Sequence, residues 1–182
     1  MVYRPPNSAD LVSQLARDYA VQVNTSTDPE APAWVFVRGL SQVTPSATPA
    51  MQDDGDIDAE GYGSQIATGQ AFSMQITGVR KGTGAEGSFT PDPGQEFLRK
   101  KGEEVGSKNI IQVRYWRTDD DTDAKEFSAS VEYTTDGGDK EALQGWSATL
   151  HGRGRPTAIE KPSGTADDST PSTPAGSEPG EG

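Results

Sequence analysis

Between residues 109 and 150, apolar and polar positions alternate in three successive segments. In the middle one, Phe127, Ala129, Val131 and Tyr133 fall on one face of an extended chain, with Glu126, Ser128, Ser130 and Glu132 on the other. A period of two marks a strand with one buried and one wet face. Before it, Ile111, Val113 and Tyr115 make an apolar face, and Ile110, Gln112, Arg114 and Trp116 share a mixed one. After it, Trp146, Ala148 and Leu150 alternate with Ser147 and Thr149. Asp136-Gly137-Gly138-Asp139 lies between, with residues that tolerate the positive φ of a tight hairpin. The pattern predicts an antiparallel meander with one polar face.

Upstream the pattern is thinner. Leu11, Val12 and Leu15 stand at helical spacing behind Asn7 or Ser8 as a cap, a short helix or an extended arm. Tyr19, Val21 and Val23 alternate as a first strand, and residues 34–43 read as a second, with Gly39 at a bulge. Residues 44–63 read as a long acidic loop rich in Pro and Gly, a length that marks function or disorder. A third strand over 70–81 sets Phe72, Met74 and Ile76 against Ser73, Gln75 and Thr77. Asp92-Pro93-Gly94-Gln95 opens a helix, with Asp92 as cap, Pro93 in the first turn and Gln95 reaching back in a capping box. Phe97, Leu98, Lys101 and Val105 share a face of it, and Gly106 ends it.

The order predicts a mainly β fold: an antiparallel β-sandwich or partial barrel with one flanking α-helix. From residue 160 the chain is Ser, Thr, Pro, Gly and acid, which cannot bury enough apolar surface to order itself and reads as a disordered C-terminal tail. Three regions are expected: an N-terminal arm or short helix over 1–18, a β domain over 19–159, and the tail over 160–182.

Charge and composition narrow the function. Of the net −12, the tail carries −4 and the body −8, which argues against gripping nucleic acid through phosphates but not against nucleic acid sliding past. Without cysteine there is neither a disulfide scaffold nor a thiolate metal site. No apolar h-region opens the chain and no apolar run is long enough to span a membrane, so synthesis in a cytoplasm is expected.

The motifs that suggest chemistry fail on their spacing. Gly82-Thr83-Gly84-Ala85-Glu86-Gly87 matches a dinucleotide fingerprint, but Ser88-Phe89-Thr90-Pro91 follows where a helix should open. Asp54, Asp56 and Asp58 start like a calcium loop, yet Ala59 and Gln65 stand where Gly and Glu are needed; Asp119, Asp121 and Asp123 fail likewise. His151 is the only histidine, and no nucleophile elbow accompanies it. No catalytic residue, cofactor or metal is expected.

Several short runs in a fixed order carry a resemblance. They are Trp34-x-x-Val37-x-Gly39-Leu40, the acidic loop ending Gly61-Tyr62-Gly63, Gln95-Glu96-x-Leu98-Arg99, Val113-Arg114-Tyr115-Trp116, Phe127-x-Ala129-x-Val131-x-Tyr133, and Gly137-Gly138-Asp139 ahead of Leu150-x-Gly152-x-Gly154. Together, over about residues 19–159, the set resembles the major tail tube proteins of long-tailed phages with non-contractile tails, particularly those of actinobacterial hosts. The resemblance implies a structural virion protein, not an enzyme. Its copies would close into hexameric rings stacked into a tail tube around a tape-measure protein, between tail-tip and tail terminator proteins. DNA would pass through without specific binding.

Within that frame the polar face would line the lumen, with Ser73, Gln75, Glu126, Ser128, Ser130 and Glu132 on it, and the acidic body suggests an acidic lining that lets DNA slip. The long loop would contact the next ring through Met51, Asp53, Asp54, Asp56, Ile57, Asp58, Glu60 and Tyr62. Trp116 and Arg114, on the mixed face, suit a subunit interface, where both types are enriched. The alternatives are a tail terminator or capsid decoration protein of related fold, or a carbohydrate-binding β-sandwich.

Overall fold

A computed structural model describes residues 9, 11, 13–15, 17–28, 31–56, 62–85, 87–119 and 122–163. The chain runs β1 (Tyr19–Asn24), β2 (Trp34–Phe36), β3 (Leu40–Asp53), β4 (Gln65–Val79), β5 (Gly82–Thr83), β6 (Thr90–Pro91), α1 (Pro93–Gly102), β7 (Ile110–Arg117), β8 (Ala124–Thr135), β9 (Gly145–Gly152) and β10 (Thr157–Ala158). Seven strands form one antiparallel path in the order β2-β1-β7-β8-β9-β4-β3; β10 adds to β8 as an eighth, and β5 pairs β6 apart. The fold is mainly β with one α-helix, as expected.

The sheet curls without closing. Its outermost strands, β2 and β3, are joined only by residues 37–39, and a chain spans no more than about 3.6 Å per residue, so the two ends of the sheet must stay close. Gly39 turns the chain there with φ +72, and a Cβ on it would stand 2.8 Å from the Val79 carbonyl oxygen. A side chain fastens this join to the end of β4. Gln95 of α1 donates from Nε2 to the Arg38 and Val79 carbonyls at 2.5 and 3.1 Å, and its Oε1 accepts from the Lys81 N–H at 3.1 Å.

The curl brings the apolar faces inward, because each strand alternates and burial selects one parity. Val21, Val23, Ile111, Val113, Tyr115, Phe127, Ala129, Val131, Trp146, Ala148, Leu150, Met74 and Ile76 are all buried, with Leu98 of α1 among them. Phe72 on β4 reaches across to meet Phe127 edge-on at 4.9 Å and Tyr115 in a stacked contact at 6.3 Å. Burial pushes the Tyr115 hydroxyl up to about 12. Fully burying side chains of this size is worth about 1.5–3 kcal/mol each, so this interior is what holds the fold.

The meander β7-β8-β9 stands as the alternation predicts, with Val113 opposite Phe127 and Val131 opposite Leu150. The turn between β8 and β9 does not. Residues 136–144 make a longer connection, held where the Asp136 N–H donates to the Gly145 carbonyl at 3.1 Å and the Gln144 amide to the Asp136 carbonyl. The single strand expected over 34–43 is broken at 37–39, because the chain changes from one end of the sheet to the other. The helix begins as expected, with Asp92 Oδ1 accepting from the Gln95 N–H at 3.2 Å. The capping box is not formed: the Asp92 N–H donates to the Lys81 carbonyl, and the Gln95 amide is drawn to the carbonyls at the sheet gap. The helix also stops at Gly102, ahead of Gly106, and Val105 is exposed rather than on a shared face. At the N-terminus Ala9, Leu11, residues 13–15 and Arg17 are not helical, and Leu11 and Leu15 are exposed; Ser8 and Val12 lie outside the described residues.

The largest correction concerns residues 44–63. Instead of a long loop, 44–53 continue β3 and 65–69 begin β4, and the two form one long hairpin from Leu40 opposite Gly78 to Asp53 opposite Gln65. Proline bars a central strand, not an edge strand, and β3 is the edge. Of the expected loop only 54–63 connects the strands.

Gln95→Leu tests the bridge. It keeps the volume but leaves two carbonyls and one N–H without their partner, at a cost of about 1–3 kcal/mol for each group that water cannot reach. Urea unfolding should show a lower midpoint at unchanged slope; an unchanged midpoint would show that Gln95 does not hold the ends of the sheet together.

Candidate assembly surfaces

The outer face of the curled sheet is built by the parity opposite to the core. Residues opposite one another in an antiparallel pair share a face, so registers define rows. Ser46, Ser73, His151, Ser130 and Ile110 make one row; Thr44, Gln75, Thr149 and Glu132 make the next. Gln112 lies opposite Ser128, and Gln22, Arg114 and Glu126 continue the face across β1, β7 and β8. The structure thus brings Ser73, Gln75, Glu126, Ser128, Ser130 and Glu132 together on one face.

That face is hydroxyl- and amide-rich rather than acidic. Its two carboxylates each meet a basic neighbour: Glu126 lies opposite Arg114, and Glu132 Oε2 is 3.0 Å from His151 Nε2. The acidity of the body therefore resides elsewhere, and an acidic lining is not what the rows carry.

Trp116 and Arg114 are turned to internal use. Trp116 is 5% exposed and packs edge-on against Phe36 at 5.9 Å, which leaves little ring for a neighbouring subunit. Arg114 stacks over the Trp34 ring at 4.3 Å and donates from Nε to Gln22 Oε1 at 2.6 Å. Burial pushes its pKa down, and Glu126 opposes that. The mixed composition of this parity was read as a contact surface; it arises because Phe36 and Trp34 on β2 cover the residues beneath them.

The feature that sequence reasoning missed is the outer half of the β3–β4 hairpin. β9 pairs with β4 only from Ser73, opposite His151, to Val79, opposite Gly145. Beyond that point residues 46–53 and 65–71 are exposed throughout, on both faces. Met51 is 47% and Ile66 52% exposed, Tyr62 is exposed beside the tip, and Asp53, Asp54 and Asp56 occupy the tip. Asp53 Oδ1 accepts from the Gly55 N–H at 2.9 Å. Ile57, Asp58 and Glu60 lie outside the described residues. An arm wet on both faces needs no apolar alternation, which erases the period of two in Gln65-Ile66-Ala67-Thr68-Gly69-Gln70-Ala71. Pro45 and Pro49 masked it further.

No family model and no curated protein matches this sequence. Solved structures do match. A chain from the virion of a native gene transfer agent particle aligns with 81% of this chain and 99% of its own, at 12% identity and TM-score 0.57. One from the tail of an empty gene transfer agent particle, computed with helical refinement and C6 symmetry, covers the same shares at 10% identity and TM-score 0.60. One from the 6-fold symmetrised baseplate of the anti-feeding prophage aligns with 82% of this chain and 97% of its own, at 8% identity and TM-score 0.53. The fold is shared.

Among the described residues, no three His, Asp or Glu are placed to hold a metal ion, and no helix is long and apolar enough to cross a membrane; Asp58 and Asp121 lie outside them. An open groove of about 500 Å³ is lined by Asn24, Ser26, Asp28, Lys101, Lys108 and Gln112.

Excising residues 49–70 and joining Thr48 to Ala71, an inward-facing pair, through Asn-Gly should leave the body intact, since among the described residues no buried side chain lies in the deleted part. The unfolding free energy should change by less than about 1 kcal/mol, because shortening a loop changes closure entropy only logarithmically. A collapse of stability would show that the arm belongs to the folding core.

Proposed function

We propose that this chain is a structural subunit of a phage-type tail, and more specifically a tail tube protein of the long-tailed, non-contractile kind, of an actinobacterial phage. Its copies close into six-membered rings that stack around a tape-measure protein, between tail-tip and terminator proteins. The observation that carries the reading is the fold match, which takes in nearly the whole of chains belonging to tail and baseplate particles, two of them described with six-fold symmetry. The protruding arm supports it, since a two-stranded hairpin without a third strand or a core is marginal in water.

In the assembled tube the hydroxyl-rich face lines the lumen, with Ser73, Gln75, Ser128 and Ser130 flanking Glu126 and Glu132. A lining of that kind offers few cations to the phosphates, which carry a negative charge about every 1.7 Å of duplex axis, so DNA slides rather than sticks. The arm, with Met51, Tyr62 and the aspartates of its tip, reaches the next ring. Residues 164–182 of the expected C-terminal tail lie outside the described residues. A structural role rather than catalysis follows from the same reading.

Negative-stain microscopy of the purified protein across concentration and salt, with a sizing column beside it, tests this. Hollow tubes of uniform width are expected, formed spontaneously or on addition of tail tips. Single rings that never stack would replace the tube with a terminator, and a monomer that stays so even with tail tips would overturn the reading.

A further inference from the structure

The arm has two edges, and only one of them is open. Within the β3–β4 ladder, alternate residues turn their backbone N–H and C=O toward the partner strand or away from it. The phase is fixed at both ends of the hairpin. The Val79 N–H donates to the Gly39 carbonyl at 3.0 Å, and the Asp54 N–H to the Ser64 carbonyl at 3.1 Å. Gly39, Asp54 and their partners therefore point inward, and Asp53, one residue on, points outward. Register shifts fall between Leu40 and Gln42 and between Ala50 and Met51. The second leaves the extra residue, Thr68, on β4, so the phase of β3 is unbroken and residues 45, 47, 49, 51 and 53 all face outward. Pro45, opposite Met74, and Pro49, opposite Gln70, thus remove two outward donors from β3 and none from its own ladder.

On β4 the outward set is Gln65, Ala67 and Gln70, and then Phe72, whose carbonyl already lies against Gly152 of β9. Among the described residues no strand pairs with the edge ahead of Phe72. The run 65–72 carries no charge and no proline. Soluble proteins protect exposed edges with charge, proline or a covering element, and here one edge of the hairpin is protected while the other is bare.

We propose that the bare edge of β4 over residues 65–71 is where a strand of a second copy of this chain adds, and that Pro45 and Pro49 guard the other edge. The proposal rests on the tail-subunit reading and deepens it. A second copy is the occupant because a guard on β3 matters only where arms meet arms at high concentration. Two β3 edges would otherwise pair isologously into a closed dimer, which ends growth, whereas an unsymmetrical contact propagates. Addition along β4 also completes the arm, turning two strands into three.

The test uses the full chain and two pairs of variants. Ala67→Pro with Gln70→Pro closes the bare edge in the manner that Pro45 and Pro49 already close the other. This variant should remain a folded monomer and lose assembly by at least tenfold in the concentration required. Pro45→Thr with Pro49→Thr opens the guarded edge and should elute as a concentration-dependent dimer or aggregate where wild type is monomeric. If wild type assembles and the β4 variant assembles equally well, edge addition is wrong while the tube reading survives. If the β3 variant behaves as wild type, the prolines guard nothing and the proposal fails on that count. If wild type never assembles, the tube reading and this inference fall together.

Discussion

A strand's backbone donors and acceptors must be paired or left in water, and in this fold a single strand meets that requirement in two ways. Over Ser73–Val79, β4 is held between β3 and β9 and contributes Met74 and Ile76 to the interior. Over Gln65–Ala71 it is paired on one side only, and its side chains are exposed. The body folds around the first half. What the second half does depends on something outside the chain, and the outward course of β3 follows from the same fact. The short join between β2 and β3 keeps the sheet curled, and Gln95 ties the ends where backbone pairing lapses.

The curl also sorts the side chains by chemistry. Inward parity gives aromatic and branched residues close packing, and outward parity gives a broad surface of Ser, Thr and Gln with its few charges matched. A net charge of −12 does not mean an acidic surface everywhere. Much of the excess lies in the aspartates of the arm tip and, in the sequence, in residues 160–182. Long-range repulsion between such subunits is screened over about 8–10 Å at moderate salt, so assembly through uncharged strand edges is compatible with an acidic chain.

How much was legible in the sequence depended on how one-sided each strand is. β7, β8 and β9 bury mainly one parity, and Phe127, Ala129 and Val131 announced themselves; so did the start of α1, because Asp92 and Pro93 are chemically committed to a helix N-terminus. The arm was invisible because neither face is buried, and its prolines read as loop residues although an edge strand tolerates them. Trp116 misled for the opposite reason: β2 is too short to leave a periodic signal, yet Phe36 covers the indole. The lumen candidates were found by parity alone. That they form rows depended on the pairing of β8 through β9 to β4, which strand periodicity does not specify.

Amide hydrogen exchange on the free and the assembled subunit reaches the central claim most directly, with residues 65–71 compared against 73–79 of the same strand. The account requires fast exchange over 65–71 in the free subunit, slow exchange over 73–79 in both states, and strong protection of 65–71 once copies have joined, most clearly at the outward amides of Ala67 and Gln70. An arm as protected as the body in the free subunit would mean that the hairpin is complete by itself. Outward amides of β4 left fast-exchanging in the assembled state would mean that copies meet elsewhere. Either result would contradict the account.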